Sequence, residues 1–135
     1  MLFIYNGGIN TYGWSWNAKA MFYYNKTFNS MTDFVDFFMN KAKLYIKVDY
    51  DYEDDIIKTL INASISELES KISYKFNKLD VEEISSAELY LLAFISQAYN
   101  NRDLTIESTK SNVNRMFSSM LASLRYKNRS ESDGS

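Results

Sequence analysis

The chain has 135 residues, of which 46% are hydrophobic and 24% charged, and its formal net charge is −2. This length allows one small domain with a modest core. The absence of cysteine and histidine excludes disulfides and thiolate chemistry and removes the usual zinc ligands and the commonest general base, while the nearly balanced charge disfavours a protein whose main task is to grip nucleic acid.

The first thirty residues differ from the rest of the chain. Residues 1–30 are rich in aromatic side chains, contain Gly7, Gly8 and Gly13, and include no acidic residue. They show no helical period, which favours short extended pieces. One interpretation is an arm whose aromatics pack on a neighbouring subunit. The other is a leader that precedes a natural start at Met31. In both cases we expect a partner to be needed to order much of the segment.

Two helices are predicted in the first half of the remaining chain. The first covers about 32–43, is capped by Ser30 or Thr32, and carries an apolar stripe of phenylalanines. Residues 44–48 alternate apolar and polar side chains, which predicts a short extended link. Asp51 is a good N-cap for a second helix over about 52–72, whose first turn is acidic and whose buried face repeats at helical spacing: Ile57, Leu60, Ile61, Ser64, Leu68 and Ile72.

The second half predicts two more helices. Residues 73–84 carry no clear period and indicate a loop. A capping box over Ser85–Glu88 starts a third helix at about 86–101, which is apolar nearly all round and therefore central. Residues 104–106 are a candidate short strand, and Ser111 or Asn112 caps a fourth helix over about 112–126. The fold class is therefore mainly α: a four-helix domain at 31–128 with short extended links, followed by a polar tail at 129–135.

Three motifs suggest a ligand or a nucleic acid, and each is incomplete. The acidic run 49–55 lacks the glycine and glutamate that an EF-hand loop needs, because Asp54 and Leu60 occupy those positions. Gly8 and Gly13 have the spacing of a phosphate loop without the following lysine. The third and fourth helices suggest a helix-turn-helix, but the predicted connection, 102–111, is too long. No catalytic residue, metal site, cofactor or membrane span is predicted.

The number of large apolar side chains indicates an oligomer. Four short helices offer little interior for stripes such as Phe34, Phe37 and Phe38 or Met116, Phe117 and Met120. Some of these side chains are expected to stay exposed until another chain covers them.

The order of elements in 31–127 resembles the small helical head–tail connector (adaptor, head completion) proteins of long-tailed bacteriophages. Members have a short helix followed by Leu-Arg-Ile/Val-Asp, which Ile46-Lys47-Val48-Asp49 resembles. An acidic turn and a long helix follow, as in 51–72. A central apolar helix then ends in a Tyr-x-Asn-Arg-like element, here 99–102, and a last short helix resembles 113–125. The family often has Pro or Gly before that helix, which this chain lacks.

The resemblance implies a structural virion protein, made in the host bacterial cytoplasm, and no enzyme. It implies a homo-oligomeric ring, typically of twelve subunits, that joins the portal vertex of the head to a stopper or tail-completion protein. DNA passes through its channel without specific binding. The candidate portal-binding residues are Met116, Phe117, Met120, Arg125, Lys127 and Arg129. The candidate inter-subunit residues are Asp51, Glu53, Asp54, Tyr99 and Arg102. The alternative is a small DNA-binding packaging protein, like a terminase small subunit, or a regulator.

Overall fold

The structure is a computed structural model that describes residues 16–101 and 105–134, with no strand among them. The prediction of a mainly α fold is confirmed, although the described part holds more helices than the four that the sequence predicts. In chain order these are α1 Ala18–Tyr24, α2 Met31–Ile46, α3 Asp54–Ile72, a 3₁₀ turn Phe76–Lys78, α4 Val81–Asn100, α5 Ile106–Met116 and α6 Ser118–Gly134.

Helix α2 begins as the sequence predicts but ends one turn later. The Ser30 side chain accepts a hydrogen bond from the Asp33 amide at 3.2 Å. The extended link predicted at 44–48 is wrong, because 44–46 form the last helical turn. Lys47 then adopts the left-handed conformation at φ 62°, and the Val48 amide bonds back to the Lys43 carbonyl at 2.9 Å. This arrangement satisfies the last carbonyls of the helix.

The starts of α3 and α4 both differ from the sequence prediction. Asp51 does not cap α3: its carboxylate contacts a lysine, while its carbonyl accepts the Asp54 amide at 3.1 Å. Helix α4 begins near 81, within the predicted loop. There the Asp80 side chain accepts from the Val81 amide and the Glu83 carboxylate accepts from the Asp80 amide at 2.8 Å, which makes a capping box. The box predicted at Ser85–Glu88 is therefore wrong, since the same pattern occurs earlier in the chain.

The predicted fourth helix is longer and is divided into α5 and α6. Thr105 caps α5 by accepting from the Ser108 amide at 3.0 Å, so the candidate strand and the caps at Ser111 or Asn112 are wrong. Residues 102–104 lie outside the described residues. Between the two helices the hydrogen bonds continue, with Phe117 bonding to Val113 at 3.0 Å and Leu121 to Phe117 at 2.9 Å. The two helices therefore follow nearly one path.

Helix α4 is the centre of the domain. It packs against α1, α2, α3 and α5, and its buried side chains lie on several sides, as the apolar circumference predicts. Helix α3 lies against α4 and buries one face, while α6 covers the other flank of α3. Within the described ranges no helix is long and apolar enough to cross a membrane.

Residues 16–30 pack on this core. Trp16 and Phe28 are buried and their rings lie 5.0 Å apart, with Phe34 of α2 beside both. The buried Glu88 carboxylate of α4 accepts a hydrogen bond from the Tyr24 hydroxyl and one from Lys41 Nζ at 2.9 Å. Burial, and then Glu88, raises the pKa of Tyr24 well above its ordinary value of 10.0. The leader and arm interpretations of 1–30 stay predictions, but from residue 16 onward the segment is part of the core.

Replacing Phe28 tests whether the N-terminal segment stabilises the domain. We expect Phe28→Ala to lower the free energy of unfolding by about 3–5 kcal/mol, because it removes a fully buried ring. Tyr126 is 75% exposed, so Tyr126→Ala is a matched control with an expected change within about 0.5 kcal/mol. Urea unfolding followed by circular dichroism measures both values. Equal values for the two variants would show that 16–30 do not contribute to the core.

Candidate assembly surfaces

The acidic turn, defined as residues 49–55, runs from the link after α2 into the first turn of α3 and is held by one lysine. Lys43 Nζ lies 2.8 Å from the Asp51 carboxylate and 2.7 Å from that of Asp54. These two hydrogen bonds raise the pKa of Lys43, because each carboxylate favours the charged ammonium. The lysine thus ties the last turn of α2 to the first turn of α3 and fixes the shape of the turn.

Two phenols fasten the same turn to the end of α4. The hydroxyls of Tyr50 and Tyr99 lie 2.9 Å apart, and Tyr99 donates to Glu53 at 2.5 Å. The bond to Glu53, followed by the bond to Tyr50, raises the pKa of Tyr99 above its ordinary value of 10.0. Only the neutral Tyr99 hydroxyl can donate a hydrogen bond to the Glu53 carboxylate. At neutral pH, Tyr50, Glu53 and Tyr99 therefore form a hydrogen-bonded structural cluster, which we term the clasp.

Part of the acidic turn faces solvent. The Tyr52 ring stacks on Tyr50 with centroids 4.4 Å apart, yet 82% of Tyr52 is exposed. Asp49 and Asp55 are also exposed, and their carboxylates form no ion pair with any described residue. In the part of the chain that the structure describes, no group of three acidic side chains is placed to hold a metal ion. The turn therefore offers an aromatic and acidic surface for a protein contact.

The structure brings together four of the five predicted inter-subunit residues. Asp51, Glu53, Asp54 and Tyr99 all belong to the acidic turn and its clasp, and Arg102 lies outside the described residues. Their described contacts lie within one chain. Only Asp51 among them has a mostly exposed side chain, at 90%. A contact between these residues and a neighbouring subunit stays a prediction.

The predicted portal-binding residues are divided between the core and the surface. Phe117 and Met120 are half-buried and pack on the core, with the Phe117 ring 5.6 Å from that of Tyr90. Met116 is 62% exposed and Arg125 is exposed. Lys127 Nζ lies 3.6 Å from the buried Glu83 carboxylate. The side chain of Arg129 lies outside the described residues.

In the helix-turn-helix interpretation, Asn112, Asn114 and Arg115 lie near the start of the predicted fourth helix, where base contacts would be made. The structure bonds both asparagines within the domain. Asn114 accepts from the Tyr90 hydroxyl at 2.7 Å and donates to Glu67 at 2.9 Å. Asn112 accepts from Arg115 at 3.0 Å. The connection between α4 and α5, residues 101–105, is shorter than the sequence predicts. Even so, the side-chain amides of Asn112 and Asn114 are engaged within the domain and are not presented to a base edge.

Sequence reasoning missed two buried carboxylates that organise the domain. Glu88 joins α4 to Tyr24 and Lys41, and Glu83 caps α4 and lies beside Lys127. The sequence analysis assigned Glu88 to a capping box and placed Glu83 in the predicted loop at 73–84. A signal was present for Glu88, because it interrupts a helix that is otherwise apolar all round and a buried carboxylate requires a partner.

These features define a small helical domain whose solvent-facing groups are suited to contacts with other proteins. A protein-family model, phage gp6-like head-tail connector protein, matches residues 39–130, which is more than half of the chain. The chain therefore belongs to the phage gp6-like head–tail connector proteins, and its role is that of a structural connector in the phage particle. Comparisons with curated proteins and with solved structures gave no match.

The hydrogen bonds of the clasp predict that Tyr99 loses its proton at a higher pH than a free tyrosine. In carbon-13 NMR of tyrosine-labelled protein, we expect the Tyr99 ring signal to titrate above the midpoint of about 10 of a free tyrosine. Glu53→Gln should move that midpoint down, because the variant removes the negative charge beside the hydroxyl. Since the folded pKa is the higher one, the stabilisation is complete below pH 10 and is lost as the pH rises through the raised value.

Tyr99→Phe assigns the signal and serves as the control, since the ring remains and only the hydroxyl is lost. A Tyr99 midpoint near 10 that does not respond to Glu53→Gln would contradict the clasp.

Proposed function

We propose that the chain forms a homo-oligomeric ring, typically of twelve subunits, between the portal of the phage head and a stopper or tail-completion protein. Membership of the connector family supports this proposal, since a connector acts through contacts with other head and tail proteins. This family match over residues 39–130 is the observation that carries the proposal. The folded domain also leaves large apolar side chains at its surface that a partner can cover: Tyr52, Leu44, Tyr126, Met116 and Leu89.

These exposed side chains support assembly because they lie on several faces. Leu44 is 80% exposed at the end of α2 and Leu89 is 59% exposed on α4, while Met116 and Tyr126 lie on α5 and α6. Single exposed apolar side chains also occur on monomers, so they show where contacts can form but do not by themselves require a partner. A ring subunit contacts two neighbours and the proteins above and below it, so it needs contact surfaces on more than one side.

The charge of the chain suits a channel that DNA passes through. Fifteen basic and seventeen acidic residues leave a net charge of −2. A wall with this balance gives little of the counterion release that drives tight phosphate binding. DNA slides past such a wall instead of being held by it, which is what a connector requires.

We assign portal docking to one edge of α6 and the end of α5. Met116 supplies an exposed apolar anchor, and Lys127 lies on the same side of the nearly continuous helix, three turns further along. Phe117 and Met120 support this edge from inside the domain. Lys127 already lies beside the buried Glu83, so it supports this edge from within the domain, and Arg129 stays the predicted cation for acidic portal residues.

Substitution of Met116 tests this assignment. We expect Met116→Asp to weaken binding of the purified chain to the purified portal of the same phage at least about tenfold, because it places a charge in an apolar contact. Ser70→Asp is the matched control, since Ser70 is also exposed in the last turn of its helix and belongs to no assigned surface, and we expect it to leave the affinity unchanged. Surface plasmon resonance measures both affinities.

Binding that is equal for the wild type and Met116→Asp would remove α5 and α6 from the portal contact. Absence of any portal binding, together with salt-dependent binding of duplex DNA by the wild type, would favour the packaging or regulatory alternative.

A further inference from the structure

Some charged side chains find no partner inside the domain. Most described lysines and carboxylates are paired, for example Lys41 with Glu88 and Lys58 with Asp36. Arg125 has no hydrogen bond or ion pair within the described ranges, and the Arg115 guanidinium bonds there only to the neutral Asn112. Asp49 and Asp55 likewise carry carboxylates that no described cation contacts. The unpaired arginines belong to α5 and α6, and the unpaired aspartates belong to the acidic turn.

The arginines share one solvent-facing side of α5 and α6, which we term the arginine face: Arg115, Arg125 and Tyr126. Because α5 and α6 follow nearly one path, Arg115 and Tyr126 lie three turns apart on the same side. Tyr126 is 75% exposed and both arginines are exposed. Between them lie small exposed side chains, among them Ser118, Ser119 and Ala122, which leave room for the approach of another surface.

The acidic turn and the arginine face adjoin different parts of α3. The acidic turn includes the first residues of this helix, whereas α5 contacts it more than three turns later, where Glu67 accepts from Asn114 at 2.9 Å. The two surfaces therefore do not meet within one chain, and a second copy can present one to the other.

We propose that the acidic turn of one subunit docks on the arginine face of the next subunit. Asp49 and Asp55 pair with Arg115 and Arg125, and the two exposed rings, Tyr52 and Tyr126, supply the apolar part of the contact. Tyrosine and arginine are the side chains most enriched at the centres of such interfaces. The contact is heterologous, because two different surfaces meet, and repetition of such a contact closes a ring when the rotation allows it.

This inference rests on the proposed function and names the surfaces that would build its ring. It reassigns Arg125 from the portal contact to the neighbouring subunit, while Met116 and Lys127 stay on the portal edge. It also replaces the predicted inter-subunit residues with Asp49, Tyr52 and Asp55. Glu53 and Tyr99 of the clasp, and Asp54 through its ion pair with Lys43, then hold the acidic turn in shape.

Exchange of charges tests the contact in the full-length chain. One variant carries Asp49→Lys and Asp55→Lys, and the other carries Arg115→Glu and Arg125→Glu. We expect each variant alone to self-associate at least about tenfold more weakly than the wild type, because like charges then face each other. We expect an equimolar mixture of the two to recover association, because each lysine surface then meets a glutamate surface. Sedimentation equilibrium at low and moderate salt measures the association constants.

Two single variants control for charge and for helix stability. Glu82→Lys adds a lysine in the first turn of α4, the same place that Asp55 occupies in α3, so it carries the same cost to the helix dipole. Lys26→Glu reverses an exposed cation outside the arginine face. We expect both to associate as the wild type does. Circular dichroism verifies that every variant is folded.

Three results would overturn the inference: a wild type that stays monomeric at all concentrations, charge-reversed variants that associate as the wild type does, or a mixture no better than its components. Portal binding is measured separately. A chain that self-associates as expected but does not bind the portal would contradict the proposed function and leave this contact standing, whereas the reverse would contradict only the contact.

Discussion

The structure depends on one constraint: α4 is apolar over most of its circumference and carries a carboxylate among its buried residues. A helix of this kind is stable in water only when other elements cover it on several sides. Helices α1, α2, α3 and α5 provide that cover. Glu88 ties α1 and α2 to α4, because a buried carboxylate needs polar partners and finds them in Tyr24 and Lys41. The arrangement leaves the ends and outer faces of the domain available for contacts with other proteins.

The same constraint explains why the surface is suited to assembly. Once the interior of this small domain is filled, Tyr52, Met116 and Tyr126 remain outside. The acidic turn is held rigid by Lys43 and by the two phenols, so it meets a partner without first being ordered. A preordered surface gives more affinity for the same contact area, because less conformational entropy is lost on binding.

The sequence predicts the interior of the helices better than their ends. The periodic stripes identified α2 and α3 and the central position of α4, because burial of a helical face leaves a clear pattern. The starts of α3 and α4 and the end of α2 were wrong, because other groups satisfy the helix ends. Asp80 accepts from the first amides of α4 in place of Ser85, and the backbone at left-handed Lys47 donates to the last carbonyls of α2 in place of an extended link. Such choices depend on three-dimensional contacts that the local pattern does not contain.

The candidate surfaces were predictable in part. The acidic turn was evident from its composition, and the sequence grouped Asp51, Glu53, Asp54 and Tyr99, which the fold does bring together. The sequence did not show that most of these side chains bond to each other, nor that Phe117 and Met120 face inward. Those facts depend on where α5 packs against α4. The connecting residues, 101–105, have no hydrophobic period from which that position could be predicted.

The measurement that tests the central claim most directly is a cryo-electron microscopy map of the head–tail junction of the phage that encodes this chain. The account predicts a closed ring of this chain directly beneath the portal, with the acidic turn of each subunit against α5 and α6 of its neighbour. A junction that is fully accounted for by other proteins, with this chain absent, would contradict the connector role proposed for it.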